Sequence, residues 1–207
     1  GMKTCIVLGC GPTLSQFPFK RITVPTFGMK NAWKSFDRMG WWPTYYANLD
    51  KVNEEYHRKD LVRIIKDPCV LTQKFFLHEK ICESDRIEVV RYRRPLFDFG
   101  DTLDDLGDGG NTATNAAQIA VALGYRQLIL VGVDLSYGKG TDFFIRDYRE
   151  DGEPHNAPDL QTYHYPAWEA FSKWAARKRI ELVNCSRFST IKGVPNVPLS
   201  AALKRAG

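Results

Sequence analysis

The 207-residue sequence has no closely spaced pair of cysteines. Its five, Cys5, Cys10, Cys69, Cys82 and Cys185, are odd in number and scattered, which argues against a disulfide framework and fits reduced thiols in a cytoplasmic compartment. No ligand-spaced cysteine cluster offers a metal site. No apolar run is long enough to span a bilayer, and no charged-then-apolar segment reads as a secretion signal. Gly1 ahead of Met2 reads as a tag remnant. Internal repeats are absent, and so is the Gly-Lys-Ser/Thr phosphate loop. The basic residues are dispersed rather than striped, which argues against a nucleic-acid partner, while a net charge of +5 suits a small anionic ligand. What remains is ordinary for a globular chain: 43% hydrophobic and 26% charged, enough for one domain over 1–207 with a sizeable core.

The most structured stretch is Gly107 to Tyr137, GDGGNTATNAAQIAVALGYRQLILVGVDLSY. Asn111 or Thr112 can cap a helix, because a short side-chain oxygen accepts from the orphan amides of the first turn. Ala113, Ala116, Ala120 and Leu123 recur at helical spacing, and Gly124 suits the left-handed stop. Leu128 to Val131 is continuously apolar, as a parallel strand covered on both faces requires. Asp134 then falls just past the carboxyl end of that strand, where open α/β sheets place their ligands. A helix amino terminus at the same rim is an anion site, which points to Asn111 and Thr112.

The chain opens with a second unit of the same kind. The strand Thr4 to Leu8 runs into Gly9-Cys10-Gly11-Pro12-Thr13, a turn that allows close backbone approach, with Pro12 at a first helical position. The dinucleotide fingerprint is not met, because Leu14 occupies its third glycine position and no acid follows about twenty residues on. NAD is disfavoured. Ile22 to Phe27 reads as a strand leading to Asn31 and a short helix. Thr44 to Ala47 reads as another, ending at Asn48-Leu49-Asp50. Val52 to Ile65 has helical spacing, and Cys69 to Thr72, Phe75 to Leu77 and Ile87 to Tyr92 read as further strands. Arg91-Tyr92-Arg93-Arg94 is a basic cluster interleaved with an aromatic. Asp104 and Asp105 have nothing nearby to complete a metal set.

From Ser136 to Tyr165 glycines, prolines and polar residues break every periodic pattern. A connection this long in a compact domain is a lid or is disordered, and its aromatics and acids favour a lid-like insertion over 136–165. Tyr137, Tyr148, His155, Tyr163 and His164 lie in it. Ala167 to Arg179 reads as a helix, Ile180 to Val183 as a last strand, and Pro198 to Arg205 as a terminal helix. The expected fold is α/β: a Rossmann-like open, mainly parallel sheet with helices on both faces and a long lid-like loop.

Taken together, GCGPTL, the asparagine after the second strand, YYANLD and NTATNAAQIAVALGYRQLILVGVDLSY resemble the small bacterial sialyltransferases that use CMP-sialic acid. The same pattern resembles the motility-accessory-factor and hydroxymethylpterin diphosphokinase (MptE-like) superfamily. The first resemblance implies a glycosyltransferase whose partners are a cytidine-type nucleotide sugar and a small or glycan hydroxyl acceptor, with no tightly bound cofactor. It implicates Gly9, Gly11, Thr13, Asn31, Asn48 and Thr112, beside Asn111, in holding the donor; Cys10, which stands where the family turn has asparagine, and Asp134 at the strand end complete the candidate donor-binding set. Two tyrosines that stabilise the departing phosphate fall nearest Tyr137 and Tyr148, and the base falls nearest His164, where an imidazole titrating near neutral pH suits the task. The second resemblance implies a pyrophosphoryl transferase, with Mg²⁺ near Asp50 and Asp134. A non-catalytic nucleotide-binding module is the third alternative.

Overall fold

The first strand sets the layers. In β1 (Thr4–Leu8) Cys5 and Val7 face one way and Ile6 and Leu8 the other, and all four are fully buried. Such a strand must be covered on both sides. The computed structural model describes residues 2–137 and 142–206, so residues 138–141 of the expected lid lie outside the described residues. After β1 come β2 (Thr26–Met29), α1 (Trp33–Met39), β3 (Tyr45–Asn48), α2 (Lys51–Tyr56), α3 (Arg58–Lys66), β4 (Lys74–Leu77) and β5 (Ile87–Val89). Then follow β6 (Tyr92–Arg94), β7 (Leu106–Gly107), α4 (Thr112–Ala122), β8 (Gln127–Val131), α5 (Tyr165–Arg177), β9 (Glu181–Asn184) and α6 (Leu199–Ala206).

Seven strands form one sheet in the order β5-β4-β3-β2-β1-β8-β9, and every pairing is parallel. β6 and β7 pair separately. On one face Cys5, Val7, Ala47, Phe76, Leu128 and Leu130 pack with the alanines of α4 and with Trp168, Phe171 and Trp174 of α5. The other face is covered in two patches. Tyr46, Phe75 and Leu77 meet Phe36 of α1 and Leu61, Ile64 and Ile65 of α3, while Ile6, Leu8, Ile129 and Val131 meet Leu14, Phe17 and Ala202 of α6. The fold is α/β, with helices on both faces of an open parallel sheet. β1 lies between β2 and β8, so the strand order reverses there, and a crevice opens beyond the carboxyl ends of β1 and β8.

Four elements differ from their sequence pattern, the first being the strand expected over 22–27, which begins only at Thr26 and runs to Met29. The helix expected over 52–65 is broken at His57, whose backbone (φ −97, ψ 14) separates α2 from α3. The periodicity survives the break because Leu61, Ile64 and Ile65 still share one buried face. Cys69 to Thr72 is not a strand. The Arg86 guanidinium donates to the carbonyls of Val70, Thr72 (3.2 Å) and Asp67 (2.9 Å), taking acceptors that a strand would offer a neighbour. The apolar run 87–92 is divided between two sheets. No described helix is long and apolar enough to cross a membrane.

Candidate functional site

The crevice at the strand reversal is a cleft of ≈ 620 Å³. Its floor is the Gly9-Cys10-Gly11 turn against Gly132-Val133-Asp134, and one wall is the start of α4. Two backbones touch here. A Cβ on Gly9 would stand 2.5 Å from the Gly132 carbonyl oxygen, and one on Gly11 would stand 2.5 Å from Asp134 Oδ2, so neither position has room for a side chain. The turn is not the open amide cradle that its glycines suggest. Gly9 N donates to Val131 O at 2.7 Å and Gly11 N to Gly132 O at 2.8 Å, and the residues after it form a five-residue 3-10 helix, Pro12–Gln16.

Asp134 locks that helix in place. Its carboxylate accepts from Thr13 N (2.7 Å), Thr13 Oγ1 (2.6 Å) and Ser186 Oγ (2.6 Å). Thr13 thus lies behind the floor rather than on it, and Asp134, although it borders the cleft, has its oxygens already engaged. Asp50 also borders the cleft, where it caps α2 by accepting from Val52 N (3.1 Å) and pairs with Lys30 at 3.5 Å. Among the described residues no group of three His, Cys, Asp or Glu side chains is placed to hold a metal ion. The donor set does not fit the Mg²⁺ reading, since both of its acids serve the turn and the helix cap.

The helix start presents better anion chemistry. Asn111 caps α4, its Oδ1 accepting from Thr114 N at 2.9 Å. The amides of Thr112 and Ala113 have no intrahelical acceptor, and both residues line the cleft. Asn111 Nδ2 donates to Tyr163 O at 2.8 Å, which ties the helix start to the residue before His164.

His164 ends a short π-helix, Leu160–His164, that leads into α5; such turns recur at functional sites. Its imidazole lines the cleft, with its ring centre 5.8 Å from that of Tyr137. Burial, together with the charge of Lys30, holds its pKa down at about 4 against an ordinary 6.5. The expectation of titration near neutral pH is therefore corrected: the ring is neutral across the physiological range and able to accept a proton. Tyr137 is pushed up to about 12, chiefly by burial, and Tyr148 is raised well above its ordinary value for the same reason. Both phenols are hydrogen-bond donors at neutral pH. Tyr148 stacks on Phe143 (3.8 Å between ring centres, 12° between planes), and its hydroxyl meets the Cys10 thiol, itself raised by burial.

Asn31 and Asn48 do not line the cleft. They belong to a buried polar network behind it, in which Asn31 Nδ2 donates to Tyr148 O (2.7 Å) and Asn31 Oδ1 accepts from Asn53 Nδ2 (2.7 Å). Asn48 Nδ2 donates to Asn53 Oδ1 (2.6 Å). Glu153, from the lid segment, is buried with the His57 ring as its partner. The contact joins the point where α2 meets α3 to the segment over 142–157, at the carboxyl ends of β2 and β3. His155 is exposed and stands outside the cleft lining.

The sequence reading missed Lys30, Phe143, Arg149 and Trp168 on the cleft, and Glu153, His57 and Ser186 behind it. Lys30 carries a backbone signal that sequence does not display: φ of 52, left-handed for a lysine, at a cleft residue. Leu135, the neighbour of Asp134, shares that strain with φ of 51. Trp168 lines the cleft, and its buried indole Nε1 has no hydrogen-bond partner among the described residues.

No family model and no curated protein matches the chain. Solved structures do. The sialyltransferase CstII from Campylobacter jejuni, in complex with the substrate analogue cytidine-5'-monophosphate, superposes with a TM-score of 0.59 at 13% identity over 95% of this chain and 85% of that one. The monofunctional alpha-2,3-sialyltransferase Cst-I from the same organism gives 0.59 at 13% identity over 88% and 75%. The MAf glycosyltransferase from Magnetospirillum magneticum AMB-1 gives 0.59 at 21% identity over 95% of this chain and 33% of that protein. The fold is that of these glycosyltransferases. At such identities the likeness is one of architecture, and the residues of the cleft carry the rest of the argument.

Proposed function

We propose that the cleft binds a nucleotide sugar of the CMP-sialic-acid type and transfers the sugar to a hydroxyl acceptor. The observation that carries this reading is the convergence on one cleft of a neutral, half-buried imidazole, two protonated phenols and the amino terminus of α4. That the similar fold of CstII was solved with cytidine-5'-monophosphate supports the choice of nucleotide. In the transfer, the acceptor hydroxyl oxygen bonds to the anomeric carbon as the bond from that carbon to the donor phosphate oxygen breaks. The electron pair leaves on the phosphate. His164 takes the acceptor's proton on its uncharged ring, and the negative charge of the donor phosphate beside it would raise its basicity once the nucleotide is bound. Tyr137 and Tyr148 donate to the departing phosphate, and the Thr112 and Ala113 amides complement its charge. None of these steps calls on Asp50 or Asp134.

The test is calorimetric titration with CMP, CDP, UDP, GDP and ATP, with and without Mg²⁺, followed by a transfer assay on a hydroxyl acceptor. A preference for cytidine nucleotides that is indifferent to Mg²⁺ is expected. Equal binding of all five would sink the cytidine reading; ATP binding that requires Mg²⁺ and disappears in an Asp134→Asn variant that still melts cooperatively would replace it with the pyrophosphoryl-transfer one. Cytidine binding with no turnover under any acceptor would leave the binding module.

A further inference from the structure

Four consecutive lid residues, Asp147 to Glu150, are unequally committed to the protein. Asp147 takes both guanidinium nitrogens of Arg38, at 2.6 and 3.1 Å. Tyr148 is buried, its carbonyl held by Asn31 at 2.7 Å. Glu150 accepts from the Tyr56 hydroxyl at 2.7 Å, and its amide donates to Glu153 at 3.1 Å. Arg149 differs. Among the described residues its guanidinium has no ion pair; it lies over the Phe143 ring at 4.8 Å and borders the cleft. It also stands 6.0 Å from the centre of the Tyr148 ring, which sets it beside that phenol at the edge of the cleft.

A guanidinium laid on an aromatic face, between neighbours tied to the body of the protein, is pre-organised. It keeps its planar fork of donors while losing little freedom on binding an anion. We propose that Arg149 holds the phosphate of the nucleotide, gripping it from the lid side opposite the Thr112 and Ala113 amides. The inference rests on the nucleotide-sugar reading and adds to its phosphate contacts a side chain carrying a full positive charge. Sequence offered no sign of it, because an arginine among Asp, Arg and Glu in an irregular loop looks like any solvated charge.

The experiment compares CMP with cytidine, and each other nucleoside monophosphate with its nucleoside, on the intact chain and on Arg149→Gln and Arg149→Lys. Arg149→Gln is expected to weaken CMP binding by about 30-fold while moving cytidine binding less than about twofold, because a charge-assisted bidentate contact is lost and the base contacts stay. Arg149→Lys, which keeps the charge and the stem, is expected to recover part of the loss, and it serves as the reporter if the glutamine variant folds poorly. Equal weakening of CMP and cytidine would overturn the proposal in favour of a purely packing role over Phe143. So would CMP affinity unchanged by the substitution. If the intact chain prefers a different nucleotide to its nucleoside and Arg149→Gln abolishes that preference, the assignment of Arg149 stands and the cytidine reading falls. If the intact chain binds no nucleoside monophosphate, both fall.

Discussion

The two sides of the cleft are built differently. The floor is joined by backbone: Gly9 to Val131, Gly11 to Gly132, and the Thr13 amide to Asp134. These partners lie at the ends of adjacent strands, so forming the sheet all but forms the floor. The opposite side is joined chiefly through side chains, Arg38 to Asp147, Asn31 to the Tyr148 carbonyl and His57 to Glu153, each about a hundred residues apart in sequence, with one backbone bond from Phe144 N to Cys10 O at 3.0 Å. Nothing in the secondary structure compels those contacts. The expectation from this contrast is that the floor fails only with the whole fold, whereas the segment over 142–157 opens first.

The sharpest way to break this comparison is Asp134→Ala. It strands the Thr13 amide and two buried hydroxyls, and a loss of about 3 kcal/mol in global stability by urea denaturation is expected, with the bonds counted together rather than summed. A loss below about 1 kcal/mol would mean that the floor tolerates rearrangement and that the contrast is false. Glu153→Ala comes next. Water can reach His57 and Asn31 once the segment lifts away, so the global cost is expected to be smaller, about 1–2 kcal/mol. Limited proteolysis should then cut within residues 142–157 while the sheet stays folded. Cleavage spread through the whole chain would show that lid and core unfold together.

The smallest effect is a pH dependence carried by His164. Its pKa in the folded chain, about 4, lies below the ordinary 6.5, so between these values the unfolded chain binds a proton that the folded one refuses. Stability from this group is complete above pH 6.5 and declines as pH falls through the window toward 4. Melting temperatures from pH 7 to 4 should show a shallower decline in His164→Gln than in the parent. An identical decline would place the imidazole in solvent, on neither side of the cleft.

How much of this could be read beforehand follows the same division. The helix after Asn111, the strand before Asp134 and the glycine turn were legible because each is a local pattern of caps, periodicity and punctuation. The roles assigned to Thr13, Asn31 and Asn48 were less so. Their positions after the strands were right, but whether a polar side chain at a strand end faces the ligand or its neighbours depends on what packs against it. Glu153 packs against Asn31, and it stands in a stretch with no period to read. His57 interrupted a helix pattern that its own neighbours continued.

The sequence by itself determined the parallel sheet, its two covered faces and the helix start at its carboxyl rim, because burial on both faces of a strand and the caps of a helix are written in adjacent residues. Only the tertiary structure decided which polar groups face that cleft. Asp134 turned inward to hold Thr13 and Ser186, Asn31 turned back to hold Tyr148 and Glu153, Asn48 turned to Asn53, and Arg149 came to lie over Phe143 without an ion pair among the described residues. Those outcomes are set by contacts between distant segments, where a buried hydrogen-bonding group takes whichever partner the packing brings within reach.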